Sequence, residues 1–399
     1  MKVLIVNTFY FPNMKGGADH SVKLLAETLV KKGHTVAVYC TDAAEGISQE
    51  IYKGVHVYRR STNKFNLYKY SYNKKEVGRL EKITQKIYDL YNVKCAMDFE
   101  EICKEFGPDV VHTNTIYGIS FLVWRKAAKL RIPLIHTIRD TAIISPVSFG
   151  KKTNSIVEAI YHLYVNRMSS YVKGVSAPSV YTLNQSLKNG AFRNAKIKKC
   201  VVNSIVIDEN ELLENIKAKC TRTDEKIVFL YAGRLIWEKG ITHMLEAFTR
   251  MNNQNCILKI CGEGPMYEEV LKVAQNDSRV QYCGKLSFDK LRDVYIESDV
   301  VLVPSVWNEP FGRVVIEGNL YGSPVIACRS GGIPEIIYHI RGGELYEPGN
   351  CEQLCELLKK FSHRGQIKKY YNAIIENIEY YSIERQIDEF ERIYEEVQK

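Results

Sequence analysis

An aliphatic run, a loop, an amphipathic helix and a second aliphatic run follow one another at the start of the chain and again from residue 226. This alternation restricts the fold more than any other feature. Lys2–Asn7 reads as a strand, and Thr8–Gly17 as a loop rich in Phe, Tyr, Pro and Gly. From Ala18 to Lys32, Val22, Leu25, Ala26, Leu29 and Val30 keep helical spacing. Gly33 then stops the helix and Thr35–Tyr39 is a second strand. Strand, helix and strand in this order predict a parallel βαβ unit. The pattern restarts with the strand Lys226–Ala232, the loop Gly233–Gly240, the helix Ile241–Met251 and the strand Cys256–Cys261. Helices near 265–275, 288–298 and 313–321 alternate with strands at Val280–Cys283, Val300–Pro304 and Pro324–Cys328. Two such series predict an α/β chain of two Rossmann-like, doubly wound domains. The polar stretch Asn203–Asp224 reads as the linker, which gives domains over residues 1–205 and 206–378. Residues 379–399 read as a terminal helix packing back toward the first domain, with Ile383, Ile387, Phe390, Ile393 and Val397 on one stripe.

The 399 residues are too many for one ordinary core and suit two domains. With 45% apolar and 25% charged residues, the composition is that of a globular protein and excludes disordered, collagen-like and coiled-coil classes. The net charge is +9, yet there is no dense basic run and no nucleic-acid module, so nucleic acid is not expected as a partner. The excess suits anionic substrates or an anionic membrane surface, and equally a solvated surface with more Lys than Glu. Eleven Cys at irregular spacing, without a Cys-x-x-Cys pair, read as reduced thiols of a cytoplasmic protein. Cys351 and Cys355 share a helix face, but two thiols do not make a zinc site. The first strand begins directly after Met1 and Lys2, and no run approaches the length of a bilayer span. The expectation is a chain that meets a membrane only at its surface.

Residues 64–91 stand apart. Lys64, Lys69, Lys74, Lys75, Arg79, Lys82 and Lys86 alternate with Phe65, Tyr68, Tyr70 and Tyr72, while Val77, Leu80, Ile83, Ile87 and Leu90 line one helical face. A basic amphipathic helix beside aromatic residues can lie in a membrane interface. An ordinary surface helix packed on the first domain carries the same pattern.

The densest signal runs from Pro304 to Glu317. The strand ends at Val303, so the loop emerges at the carboxyl edge of the sheet, where open α/β folds bind ligands. Gly312 permits close backbone approach, and the helix after it turns free N–H groups toward the loop, which suits a diphosphate. Glu309 and Glu317 can then serve two different sets of hydroxyls, because carboxylates accept bonds from vicinal hydroxyls.

Separated by seven residues, Glu309 and Glu317 resemble the paired glutamates of retaining GT-B glycosyltransferases, and their surroundings resemble glycosyltransferase family 4. Gly233-Arg234 with Lys239-Gly240 resembles the family's phosphate-binding arginine and lysine. Gly262-Glu263-Gly264-Pro265 resembles its second glycine turn, and Gly331-Gly332-Ile333-Pro334-Glu335 its late signature. Gly16-Gly17 resembles the glycine loop that faces the donor. Ser176-Ala177-Pro178-Ser179 and Val202-Asn203 resemble landmarks before the interdomain crossing. Nearly the whole chain is covered. The resemblance implies two domains facing a central cleft and transfer of a hexosyl group from a UDP- or GDP-sugar to a glycan or lipid-linked acceptor. It implies no cofactor and no metal, and no Asp-x-Asp sequence is present to hold a bridging ion. It also implies that Arg234 and Lys239 stabilise the departing diphosphate, aided by N–H groups near Phe311, Gly312, Arg313 and Val314. Glu309 would bind the donor sugar and Glu317 the ribose, with Gly16, Gly17 and Gly262 contributing to the donor site.

One position departs from the family. Relatives often carry His where Pro133–Ile138 leads into Arg139-Asp140. Arg139 cannot act as a base near neutral pH but can bind an anion, and Asp140 can bond a hydroxyl near the reaction centre. His136 reads as structural. Other classes remain to be weighed. They are an enzyme making a soluble disaccharide or sugar phosphate, an inactive GT-B partner subunit, and a nicotinamide dehydrogenase. The last needs Gly-x-Gly-x-x-Gly after the first strand, which Asn7–Gly17 lacks.

Overall fold

The computed structural model describes residues 1–14, 16–41, 46–61, 78–140, 143–144, 155–223 and 225–399. They form two compact units, Met1–Ser204 with Ile383–Lys399, and Ile205–Ser382. Among the described residues no helix is long and apolar enough to cross a membrane.

The first unit is built on eight strands: β1 Lys2–Val6, β2 Thr35–Cys40, β3 Gly46–Tyr52, β4 Val55–Ser61, β5 Val110–Thr113, β6 Leu134–Thr137, β7 Gly174–Ala177 and β8 Ile197–Cys200. Their order is β3-β4-β2-β1-β5-β6-β7-β8, and only β3 runs antiparallel to its neighbour. Alternate residues of one strand enter different cores. Leu4, Val6, Ala37, Tyr39 and Val111 pack on one side, and Val3, Ile5, Val36, Val38 and Val110 on the other. Both faces are covered, which is why these strands are unbroken apolar runs. The helix Ile383–Gln398 returns to this unit and buries Ile383, Ile387, Phe390, Ile393, Tyr394 and Val397. Each such side chain contributes about 1.5–3 kcal/mol relative to exposure. Tyr394 also meets His112 Nδ1 at 2.8 Å, and the ring of Phe390 packs against the same imidazole.

The second unit has six parallel strands: β9 Ile227–Ala232, β10 Cys256–Cys261, β11 Val280–Gly284, β12 Val300–Val303, β13 Val325–Cys328 and β14 Gly343–Tyr346. Their order is β11-β10-β9-β12-β13-β14. The direction of winding reverses between β9 and β12, as it does between β1 and β5 in the first unit. At such a point neighbouring loops diverge above the carboxyl edge and leave room for a ligand.

Two expectations change. The chain crosses between the units at Ser204–Ile205, at the start of the stretch Asn203–Asp224 read as the linker, but most of that stretch is structured: Glu209–Thr221 is a helix of the second unit, capped by Asp208 and buried through Leu212, Ile216 and Lys219. Its polar appearance misleads because Lys219 is fully buried. The ammonium donates to Tyr295 O at 3.5 Å, to Ser298 O and to Ser323 Oγ at 2.6 Å. Ser323 spends its own proton on Ser298 O at 2.8 Å, so three acceptors face Lys219 and only the charged form supplies three protons. Burial lowers its pKa to about 7, opposed by the charge of Asp299. In the Lys/Tyr segment, residues 64–77 lie outside the described residues, as do the side chains of Arg79, Leu80, Lys82 and Ile83. Arg79–Leu90 is a helix, but Ile87 is exposed while Leu90 packs on the core, so the two do not share one buried face.

Replacing Lys219 by Ala should destabilise the second unit by about 2–4 kcal/mol, because two carbonyls and a hydroxyl lose their buried donor. Denaturant unfolding of the two proteins measures it, and an unchanged midpoint would remove Lys219 from the fold's supports.

Candidate active site

At the reversal point of the second unit the loop after β9 meets the loop after β12. Glu238 O accepts from Val306 N at 3.0 Å and from Trp307 N at 3.1 Å, which joins the loops backbone to backbone. Gly240 closes the junction in the left-handed region at φ 71°, where a Cβ would lie 1.9 Å from Pro304 O. The short turn Trp237–Lys239 ends there and aims Lys239 at the second loop. Lys239 Nζ pairs with Glu309 Oε1 and lies 5.7 Å from the centroid of the Trp307 ring. Ser305 Oγ donates to the same Glu309 oxygen at 2.8 Å. The backbone of Glu309 is also held, since its carbonyl accepts from Gly332 N at 2.8 Å. Both Glu309 and Lys239 are half-buried, so their attraction is less screened than that of a surface pair.

Arg234 stands exposed at the end of β9 and pairs with no described carboxylate. Burial raises the Tyr231 phenol well above its ordinary range. The charge of Glu309 adds to the shift and that of Arg234 opposes it, so all three share one neighbourhood. Tyr231 donates to Arg234 O at 2.7 Å and steadies the loop. Gly262 lies against the same loop, because a Cβ there would sit 1.8 Å from Gly233 O.

The helix Arg313–Leu320 follows Gly312, which has φ 104° and gives no side-chain cap, and the N–H groups of a first turn have no acceptor within their own helix. Val314 is within this first turn, and Phe311, just before it, is buried against Tyr381. Glu317 sits one turn further on. Its carboxylate accepts from Arg313 Nε at 2.8 Å and from Tyr295 Oη at 3.1 Å. Burial and the adjacent Glu317 charge hold the Tyr295 hydroxyl protonated, and Tyr321 stacks on its ring. Tyr295 and Ser305 were not read from the sequence. Ser305 lies in the motif loop, but Tyr295 comes from another helix and only the fold brings it to Glu317.

In the first unit the equivalent edge is also built. Asn7, after β1, accepts from Thr115 N at 3.0 Å and donates to Asp19 Oδ1 at 3.0 Å, in the first turn of the helix Gly17–Lys31. Gly16 is extended and exposed there, with nothing near the place of a Cβ. Arg139, after β6, is buried. Its Nε donates to Asn114 Oδ1 at 2.7 Å and its Nη1 to Asn203 Oδ1 at 2.6 Å. The guanidinium therefore ties the loops after β5 and β8 together. Asp140 accepts from the Tyr117 hydroxyl and lies near Tyr161. His136 is buried among Trp124 and Phe192. Desolvation first, then the charge of Arg139, lowers it to about 3, so it stays neutral. Among the described residues no group of three His, Cys, Asp or Glu could hold a metal ion.

These features define a two-domain sugar transferase of the GT-B class, and comparison with solved structures shows the same fold. Sucrose-phosphate synthase of Thermosynechococcus elongatus aligns with a TM-score of 0.75 at 16% identity, over 99% of this chain and 98% of that one. HepE of Anabaena, in complex with UDP and glucose, aligns at 0.67 and 17% identity, over 98% and 99%. Residues 15–198 match glycosyltransferase family 4, and residues 214–380 match glycosyl transferases group 1. The chain belongs to this family and is a glycosyltransferase. An uncharacterised protein in the cps region of Klebsiella pneumoniae is 32% identical over 84% of this chain and 87% of its own length. The N-acetyl-alpha-D-glucosaminyl L-malate synthase of Bacillus anthracis is 23% identical over 100% and 98%.

Gly240→Ala has no room at Pro304 O and must also strain the left-handed backbone, so it should cost at least about 1–3 kcal/mol. A thermal scan checks this, and an unchanged Tm would show that the two loops are not in rigid contact.

Proposed function

We propose that the chain is a retaining hexosyltransferase that takes a nucleoside-diphosphate sugar as donor and serves surface-polysaccharide synthesis. One observation carries the reading. Lys239, Glu309 and Ser305 meet at the sheet's reversal point, beside the uncapped helix after Gly312. As the anomeric bond breaks, negative charge builds on the β-phosphate oxygens. In this reading Lys239, Arg234 and the first N–H groups at Arg313 and Val314 stabilise it, and they do so best where water is displaced. Glu309 is held between Lys239 and Ser305 before the donor arrives. When phosphate takes over Lys239, the carboxylate is left to accept bonds from sugar hydroxyls. Glu317, braced by Arg313 and Tyr295, suits the vicinal hydroxyls of ribose.

Support for the donor class comes from the UDP held by HepE. Support for the pathway comes from the relative in the cps region. The acceptor in this reading is a glycan or a lipid-linked intermediate. The Tyr117–Asp140 pair of the first unit is the candidate to bind its hydroxyls, and Arg139 positions the loops around that pair rather than acting as a base. No resident metal enters this scheme, and the electrostatic work falls on side chains and backbone dipoles.

A screen of UDP- and GDP-sugars by thermal protection and donor hydrolysis identifies the donor. Once it is known, Lys239→Ala and Glu309→Ala should each lower kcat by about 10²–10³ while the fold survives. Tyr295→Phe should act differently, raising the KM for donor roughly tenfold with a smaller change in kcat. Full turnover by Glu309→Ala would refute the role given to that carboxylate.

A further inference from the structure

The strands β10 and β11 end beside the turn that holds Gly262, and each carries a cysteine there. Their register runs from Ile260 opposite Tyr282 directly to Cys261 opposite Gly284. Cys283 is therefore the extra residue of a bulge, a device that re-aims a side chain at the rim of a sheet. Here it brings the Cys283 thiol into hydrogen-bond contact with the thiol of Cys261. Both cysteines are free. Neighbouring strands lie about 4.8 Å apart, within the Cα separations of about 4.4–6.8 Å that a disulfide spans.

The two sulfurs differ in chemistry. Cys261 is buried, and its hydrogen bond to Cys283, followed by desolvation, keeps its proton in place. Cys283 is half-buried and within reach of solvent. The hydrogen bond from Cys261 lowers its pKa; desolvation works against this, and the ammonium of Lys259 lowers it again. Glu297, which holds Lys259 at 2.6 Å, opposes that ammonium. A partly exposed thiolate with a protonated thiol in contact is the arrangement of an attacking and a resolving cysteine.

The pair is tied to the candidate donor site through the backbone. On the β9 side, Cys261 O accepts from Gly233 N at 3.0 Å, one residue before Arg234. On the β11 side, Gly262 N donates to Gly284 O at 2.8 Å, and Tyr282 Oη donates to Gly262 O at 2.9 Å. Cys261 also acts on the phenol of Tyr295, which braces Glu317.

We propose that Cys261 and Cys283 form a reversible disulfide when a peroxide is present, and that this bond weakens nucleotide binding by the second unit. The Cys283 thiolate attacks one oxygen of hydrogen peroxide. The O–O bond breaks, the departing hydroxide takes up a proton to leave as water, and Cys283 becomes a sulfenic acid. The Cys261 sulfur then attacks the Cys283 sulfur. The S–O bond breaks, and the departing hydroxide leaves as water with the Cys261 proton. One peroxide is reduced to two waters while two thiols are oxidised to one disulfide. Bonded sulfurs stand about 2.05 Å apart, closer than any hydrogen-bonded pair, so the end of β10 is drawn toward β11. That movement is away from Gly233, and it lengthens the bond that holds the Arg234 loop. The effect on nucleotide, though not the disulfide itself, rests on the donor reading above.

The test treats the full chain with hydrogen peroxide. Peptide mapping by mass spectrometry without reduction should find Cys261 joined to Cys283, and dithiothreitol should part them. UDP and GDP are titrated by calorimetry. For the one that binds the reduced chain, Kd should rise roughly tenfold after oxidation and return with dithiothreitol. Cys283→Ser should bind it as the reduced parent does, before and after peroxide. Cys261→Ala should leave Cys283 as a sulfenic acid that dimedone traps. Absence of the joined peptides overturns the proposal, as does a disulfide that leaves Kd unchanged. A parent-like loss of affinity in oxidised Cys283→Ser assigns the effect to another thiol and also overturns it. A disulfide in a chain that binds neither nucleotide sinks the donor reading, and with it the second half of the proposal, while the thiol pair stands.

Discussion

Everything at the candidate site depends on two loops held together above the place where a parallel sheet reverses its winding. The strands after which they emerge, β9 and β12, are hydrogen-bonded neighbours, but their connections leave in opposite directions. Left alone, such loops would splay. Here the carbonyl of Glu238 gathers two amides of the other loop, and Gly240 lets Pro304 approach to a distance that excludes any side chain. Lys239 and Glu309 can form an ion pair across the gap because the backbone has already brought them together. The cost of ordering two long side chains is thereby reduced before a ligand arrives.

The same economy recurs around Glu317 and Arg139. Glu317 is a surface-type residue on a short helix, and what gives it a defined direction is one hydrogen bond from Arg313 and one from Tyr295. Tyr295 is in turn immobilised by burial and by Tyr321, while its carbonyl and that of Ser298 are drawn to Lys219. A chain of contacts thus runs from a helix mistaken for a linker to a carboxylate assigned to the donor. In the first unit Arg139 spends two nitrogens on two asparagines from different loops. Arg139 is thus a brace between loops, and next to it Asp140 accepts from the Tyr117 hydroxyl.

Much of the architecture was open to inspection in the residues. Parallel strands buried on both faces must be continuous apolar runs, and helices that cover them must repeat with a helical period, so the βαβ alternation is written directly in the spacing. The Glu309–Glu317 motif was equally plain, because its separation and its Gly312 are local. The reading failed where the deciding partner is remote in sequence. Asn203–Asp224 looked polar enough to be a linker, since nothing local reveals that Lys219 is satisfied by acceptors 76 to 104 residues away.

By itself, then, the sequence determined which segments are strands and helices, that there are two doubly wound units, and which loop carries the paired glutamates. These follow from periodicity and from backbone chemistry within a few residues. Only the tertiary structure decided that Lys239 reaches Glu309, that Tyr295 braces Glu317, and that Arg139 is committed to Asn114 and Asn203. Each of these depends on which surfaces meet after the sheets assemble, and a side chain's partner across such a contact leaves no trace in its own neighbourhood along the chain.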